Sequence, residues 1–371
     1  VGPVLDGIAS RRTAEYLATQ ITHPRDHNPG SLMPAFPLDP QKTGELVSYL
    51  ESIPPGETAA TKWNPLDYLG FTWIPAIRLN ESNGTTGVDY DTRTMIVFLA
   101  GTLGDHLSMF VESNPADPEP GFANKWQTAQ GLLNFGGSEN FLQLRFGQLL
   151  TLEGNGFAGT DRFFSDSIPL IYLPVNGFTA ARLGRGGSAE YTLGMATTLK
   201  AYAVEEADGS RAFGGVFERV IGKQGLSGIS VEYAGGWNPN LGSGGREFHF
   251  QRWYFSGAKT FQNHSGRQVF DLIGGASLND DNQLLGSTSG RRNTGYGSFV
   301  EADAFPVLHY LTTYARFDQL RATTQTGSSI KAGTAGIIID ATRYTRFLFE
   351  YQRFAAATRA NFFTIGFRVN L

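Results

Sequence analysis

From about residue 69 onward, apolar and polar residues alternate in stretches of ten or so. The final stretch shows this most clearly. Phe363, Ile365, Phe367, Val369 and Leu371 share one face, and Thr364, Gly366, Arg368 and Asn370 the other. A period of two belongs to strands, whose successive side chains point to opposite sides of a sheet. The alternation predicts strands at 69–80, 91–103, 105–114, 125–136, 139–150, 175–185, 187–204 and 211–222. It continues at 225–237, 246–260, 266–279, 292–304, 308–320, 327–341, 343–355 and 359–371. Every second connection is tight: Leu103-Gly104-Asp105, Gly136-Gly137-Ser138, Gly184 to Gly187, Gly222 to Gln224, Asn263 to Gly266, Phe305 to Val307, and Thr342. The intervening ones are longer, at 81–90, 115–124, 151–174, 238–245, 280–291 and 321–326.

No helical layer follows that would cover so many apolar faces. A barrel closed in a membrane solves the problem, because lipid covers its outside and every backbone group pairs with a neighbouring strand. The expected fold is therefore an all-β transmembrane barrel of about sixteen antiparallel strands over 69–371, preceded by a small α-helical segment. Alternating short turns and long loops are the periplasmic and extracellular sides of a bacterial outer-membrane barrel. An even strand count leaves both barrel ends on the periplasmic side. The N-terminal segment is then expected in the periplasm or within the lumen, and outer-membrane lipid is the first expected partner.

Composition narrows the alternatives. The mean hydropathy of −0.20 and the lack of any run of eighteen apolar residues exclude a helical membrane protein. With Gly 46, Phe 28 and Tyr 14, the chain has the glycines that relieve crowding in a barrel and the aromatics that form interfacial girdles. A net charge of −4 gives no basis for a nucleic-acid partner. Cys is 0, which removes disulfides, thiolate catalysis and cysteine metal sites. There is no HExxH pattern and no Gly-x-Ser-x-Gly elbow, and His106, His249, His264 and His309 are scattered, so no hydrolase is indicated. Gly184-Arg185-Gly186-Gly187 joins two predicted strands and reads as a hairpin turn rather than a phosphate cradle.

With apolar faces outward, Arg145, Glu232, Asp271, Arg346, Glu350 and Arg368 point into the lumen. Interior charges of a barrel either line water or pair with one another. The 151–174 connection is the longest and carries Asp161, Arg162 and Asp166. It has the length to fold inward as a constriction loop.

Residues 1–53 follow another pattern. Arg12 to Gln20 reads as a short amphipathic helix with Thr13 as cap, and Asp39 to Ile53 as a second with Asp39 at the N-cap and Pro40 in the first turn. Leu46, Val47 and Leu50 share a face of the second helix. Pro54-Pro55-Gly56 ends it, and 54–68 is a polar linker. Two such helices bury too little surface to fold without a cofactor or partner.

The order of segments here carries a resemblance. Gly2-Pro3-Val4-Leu5-Asp6-Gly7-Ile8, then Arg11-Arg12, then Ser31-Leu32-Met33-Pro34-Ala35-Phe36, then Glu45-Leu46-Val47-Ser48-Tyr49-Leu50 resembles the second half of a class I c-type cytochrome. The resemblance implies a haem c, with Pro3 orienting the proximal ligand and Met33 binding the iron axially; His23 and His27 are the competing ligands. It also implies that Leu46, Val47 and Leu50 line the haem. A thioether ligand would raise the potential, which suits electron transfer. The Cys-x-x-Cys-His attachment motif of that family is not in this chain. Three explanations fit: the chain begins late in a longer protein, another polypeptide supplies the motif, or the module is haem-free. A cytochrome segment joined to a barrel resembles the fused cytochrome–porins of the bacterial outer membrane. That family implies electron transfer between extracellular metal ions, such as ferrous iron, and periplasmic carriers or multihaem cytochromes. Any enzymatic role would be metal oxidation or reduction by electron transfer. Two other readings fit the same residues: a passive diffusion porin with a haem-free N-terminal plug, and a barrel that sheathes a multihaem partner.

Overall fold

A computed structural model describes residues 8, 12–22, 40–52, 69–82, 85–103, 106–114, 126–136, 140–150, 169–172, 183–194, 196–206, 209–221, 227–240, 247–264, 266–282, 292–306, 310–322, 329–342, 344–355 and 359–370. The strands are β1 Leu69–Ser82, β2 Thr85–Leu103, β3 Leu107–Ser113, β4 Trp126–Gly136, β5 Asn140–Leu150, β6 Leu183–Leu193, β7 Thr197–Glu206 and β8 Arg211–Ile221. They continue as β9 Ser227–Asn238, β10 Phe248–Gln262, β11 Gln268–Asp281, β12 Asn293–Ala304, β13 Leu311–Ala322, β14 Ser329–Thr342, β15 Thr345–Ala355 and β16 Arg359–Asn370. Each pairs antiparallel with its sequence neighbours, and β1 closes the ring on β16.

The side-chain period of two sorts each wall into two faces. In β15, Leu348, Glu350 and Gln352 are buried while Phe347, Phe349 and Tyr351 are exposed. Exposed apolar residues on so many strands have no protein layer over them and form the outer surface of the barrel. At the seam, Trp73 of β1 stands opposite Val369 of β16, and Ile77 opposite Ile365. Pro75 interrupts β1 with a register shift between Ile74 and Ala76. Proline has no N–H to give the ladder, so it is accommodated at such an irregularity.

Connections at one end of the barrel are short, at 104–106, 137–139, 194–196, 222–226, 263–267, 305–310 and 343–344. At the other end they include 114–125, 151–182, 239–247 and 282–292. Residues 69 and 370 both lie at the short-turn end.

The structure corrects three expectations about connections. Gly184 to Gly187 is no turn: it lies inside β6, opposite β5 and β7, and the hairpin turn follows at 194–196. The glycines serve a close approach of backbones instead. Gly186 faces Gly147, which has φ +127°, and a Cβ on Gly186 would press into the Ala203 carbonyl of β7. Residues 81–90 are not a long loop, because β1 runs to Ser82 and β2 starts at Thr85. Val88 and Tyr90 are exposed there, so this part of the hairpin has no buried face to leave an alternation. Finally, the single strand expected over 187–204 is broken by the connection at 194–196, because β6 ends at Leu193 and β7 starts at Thr197.

Before the barrel, α1 (Ala14–Thr22) and α2 (Pro40–Ser52) pack on each other. Thr13 caps α1, its Oγ1 accepting from Tyr16 N at 3.2 Å. Leu17, Ile21 and Val47 form a small core with Ile8, Tyr16, Ala18 and Leu50 against it.

The glycine contact gives a direct test. Gly186→Val forces backbone movement between β6 and β7 and should cost about 1–3 kcal/mol of stability. Gly333→Val, where a Cβ meets nothing within 4 Å, should cost well under that. Urea unfolding of the refolded barrel would compare them, and equal midpoints would contradict the close approach.

Candidate pore lining

Among the polar contacts described on the inner face, two networks of side chains extend over several strands. The first crosses β3 to β6. Asn134 Nδ2 donates to Ser108 Oγ at 3.1 Å, Gln143 Nε2 to Asn134 Oδ1 at 2.8 Å, and Arg145 Nε to Gln143 Oε1. Arg145 Nη2 then pairs with Glu190 Oε2 at 2.8 Å, both side chains about a quarter exposed. Alternation makes this possible, since residues two apart on one strand share a face and directly opposed residues share a row.

The second network lies across the barrel, on β12 to β15, and is buried. Arg316 Nη1 is 3.3 Å from Glu301 Oε2, and Arg316 Nε 2.8 Å from Asp318 Oδ2, with all three side chains at 0% exposure. Tyr314 OH donates to Glu350 Oε2 at 2.7 Å. That bond spans three strands. Tyr314, Gly336 and Glu350 form one register row, and a Cβ on Gly336 would run into the Tyr314 ring. Glycine on β14 thus clears the way for a β13 phenol to reach a β15 carboxylate. The same arrangement seats Phe299 of β12 over Gly275 of β11.

The long connection meets this second wall. Residues Leu170–Tyr172 form a 3₁₀ turn. Leu170 N donates to Asp318 Oδ1 at 3.1 Å. Leu170 packs with Leu320 and Ala332, and Ile171 with Ile273 and Phe299, all on inner positions of β11 to β14. The connection leaves the wall at β5 and re-enters at β6, so residues 170–172 have crossed the lumen to touch the far side. One carboxylate, Asp318, ties the wall's charge network to this inner segment.

The other residues singled out from the sequence are placed as follows. Arg346 pairs with Asp340, Nε to Oδ1 at 2.7 Å. It also stands directly opposite Arg368, which is exposed. Glu232 is buried on β9. Asp271 accepts from Gln268 Nε2 at 2.6 Å and stands opposite Asp303. Pro3, His23, His27 and Met33, named for a haem, lie outside the described residues, as do Asp161, Arg162 and Asp166. Val47 and Leu50 turn toward α1, and Leu46 is 37% exposed. Among the described residues, no group of three or more His, Asp or Glu side chains is arranged to hold a metal ion. Arg316, Glu301, Asp318 and the Leu170–Ile171 pair were not singled out. The available signal was the parity of Arg316 and Asp318 against Ala315 and Phe317, and an apolar Leu-Ile-Tyr run inside a polar connection.

No protein-family model matches the chain, and no curated protein matches it in sequence. Solved structures do match its fold. The anion-selective porin of Comamonas acidovorans superposes with a TM-score of 0.62 at 12% identity, covering 82% of this chain and 98% of that one. The outer membrane channel DcaP of Acinetobacter baumannii gives 0.60 at 10% identity, over 82% and 97%. OprB of Pseudomonas putida gives 0.54 at 10% identity, over 82% and 95%. The chain therefore has the closed, sixteen-stranded antiparallel barrel fold of the porins.

Removing one member of a buried ion network strands the rest. Arg316→Met leaves Glu301 and Asp318 without their cation and should destabilise the barrel by about 3–5 kcal/mol. Arg346→Met, at a half-exposed pair, should cost at most about 1 kcal/mol. Denaturant unfolding of the two variants side by side would separate these values; similar losses would mean that the Arg316 network is open to water.

Proposed function

We propose that this protein is a bacterial outer-membrane porin through which small polar solutes diffuse passively, with the Leu170–Tyr172 turn narrowing the passage. The observation that carries the reading is the 3₁₀ turn at Leu170–Tyr172, anchored through Asp318 on the wall opposite the strands it connects. A barrel of about sixteen strands is wide enough to leave an aqueous channel, whereas one of eight is filled by its own side chains. Segments placed across such a lumen set the width that a solute meets. Charged side chains on the inner face keep the passage wet and favour polar solutes over apolar ones. Two of the similar structures are named as a porin and a channel, which agrees with this reading. Electron transfer through haem c, expected from the N-terminal resemblance, draws no support from the described helices, where Leu17, Ile21, Val47 and Leu50 pack on one another.

Planar-bilayer recording tests the proposal. The purified protein should give stepwise, ohmic conductance. Asp318→Ala removes the acceptor of Leu170 N–H and should raise the unit conductance by loosening the inner segment. Absence of channel steps from folded barrel would overturn the reading, and a haem absorption band in the same preparation would turn attention to electron transfer.

Orientation is tested on whole cells. A cysteine at Asn282 should react with a membrane-impermeant maleimide, and one at His264 only after the outer membrane is opened. The reverse pattern would invert the barrel.

A further inference from the structure

Outward positions at the long-loop end of the barrel carry several charges, and most of them are matched. Glu205 stands directly between Arg185 and Arg211 in register on β6 to β8. Arg292 forms a two-pronged ion pair with Asp280. Three cations on β13 to β15 are different. Arg321, Lys331 and Arg353 are all exposed and all outward, and none has an ion pair or side-chain hydrogen bond among the described residues. Register puts them on one diagonal. Arg321 is opposite Ser329, two residues from Lys331, and Lys331 is opposite Ala355, two residues from Arg353. Diagonal neighbours of this kind have backbones about 7–8 Å apart, so the three side chains can converge on one group.

No acid balances them. Outward positions of β13 to β15 hold no carboxylate, and the adjoining connections 323–328 and 356–358 contain no Asp or Glu. The nearest outward acid along the register, Glu81, lies two strands beyond Arg353 and accepts from Asn361 Nδ2 at 3.3 Å. Directly toward the short-turn end, the same three strands expose Phe317, Ile337, Phe349 and Tyr351, an apolar surface that belongs in hydrocarbon. The cations therefore sit where acyl chains give way to headgroups, and long basic side chains reach from such positions into the polar layer.

We propose that Arg321, Lys331 and Arg353 form a binding site for the phosphate groups of an anionic lipid of the outer leaflet, whose acyl chains lie on Phe317, Ile337 and Phe349. The proposal rests on the outer-membrane orientation given above. Three like charges at neighbouring positions repel one another, and a phosphate between them removes that repulsion while offering acceptors to two guanidinium groups. Each basic residue at an anionic surface contributes on the order of tenfold or somewhat less in affinity, so the three together give about a hundredfold.

The test uses the purified full chain titrated with diphosphorylated lipid A in phosphatidylcholine vesicles. The wild-type protein should bind it about a hundredfold more tightly than the R321Q/K331Q/R353Q variant. The same lipid stripped of its phosphates should bind the wild type as weakly as the phosphorylated lipid binds the variant. The charge-preserving R321K/R353K variant should keep most of the affinity. Equal binding of phosphorylated lipid by wild type and triple variant, or of both lipids by the wild type, would overturn the site. The comparison of the two lipids on the wild type decides the matter even where the triple variant does not fold. Conductance recorded on the same samples reads the pore independently: a wild-type barrel that binds phosphorylated lipid but does not conduct removes the diffusion reading and keeps the lipid site.

Discussion

A peptide group in hydrocarbon has no water to bond, so each N–H and C=O of a membrane wall must find its partner on an adjacent strand. In this chain that requirement is met all round only because the first strand meets the last. Trp73 faces Val369 there and Ile77 faces Ile365, across almost the whole length of the barrel sequence. Once the ring is closed, the parity of every strand is fixed relative to its neighbours. A slip of one residue in β15 would turn Phe349 inward and Glu350 outward. The outer apolar surface, the inner charge networks and the outward cations of β13 to β15 all follow from that single register.

The two inner networks do different work. On β3 to β6 the groups are partly exposed and bonded in a chain, so they stay available to water. On β12 to β15 they are sealed. The sealing comes from Leu170 and Ile171, which cover the wall, and from Asp318, which serves both Arg316 and the Leu170 backbone. Buried charges of this kind are worth little as net stability but are costly to break, which makes them effective at fixing one arrangement of the segment they hold.

Much of the architecture was legible. Strand number and closure followed from alternation, because aromatic and branched residues stand on the lipid side and polar ones opposite, as Phe363 and Thr364 do. The misplaced pieces have physical reasons. Gly184 to Gly187 looks like a turn to any local rule, and only the neighbouring backbones of β5 and β7 explain glycines inside a strand. The extended β1–β2 hairpin carries no alternation to read, because strands wet on both faces need none. Parity alone puts Arg316 on the inner face, but its role depends on Glu301, which pairs with it from another strand. The N-terminal iron ligands implied by the resemblance lie outside the described residues.

One consequence of the long second strand concerns how the wall opens. β2 has 19 residues, roughly twice the 9–11 that span a bilayer. Among the described residues its pairing with β3 starts at Val97, and from Thr85 to Ile96 its ladder is with β1, apart from the Met95 N–H, which donates to Asn114. Among the described residues, those of that stretch have no second ladder of the kind that locks strands elsewhere in the ring. Their amide protons should exchange with solvent through local opening, at a lower free energy than those of β11 or β13, whose release requires the ring itself to come apart. The barrel thus has a graded rather than uniform resistance to unfolding, lower at the tip of its first hairpin than in β11 or β13.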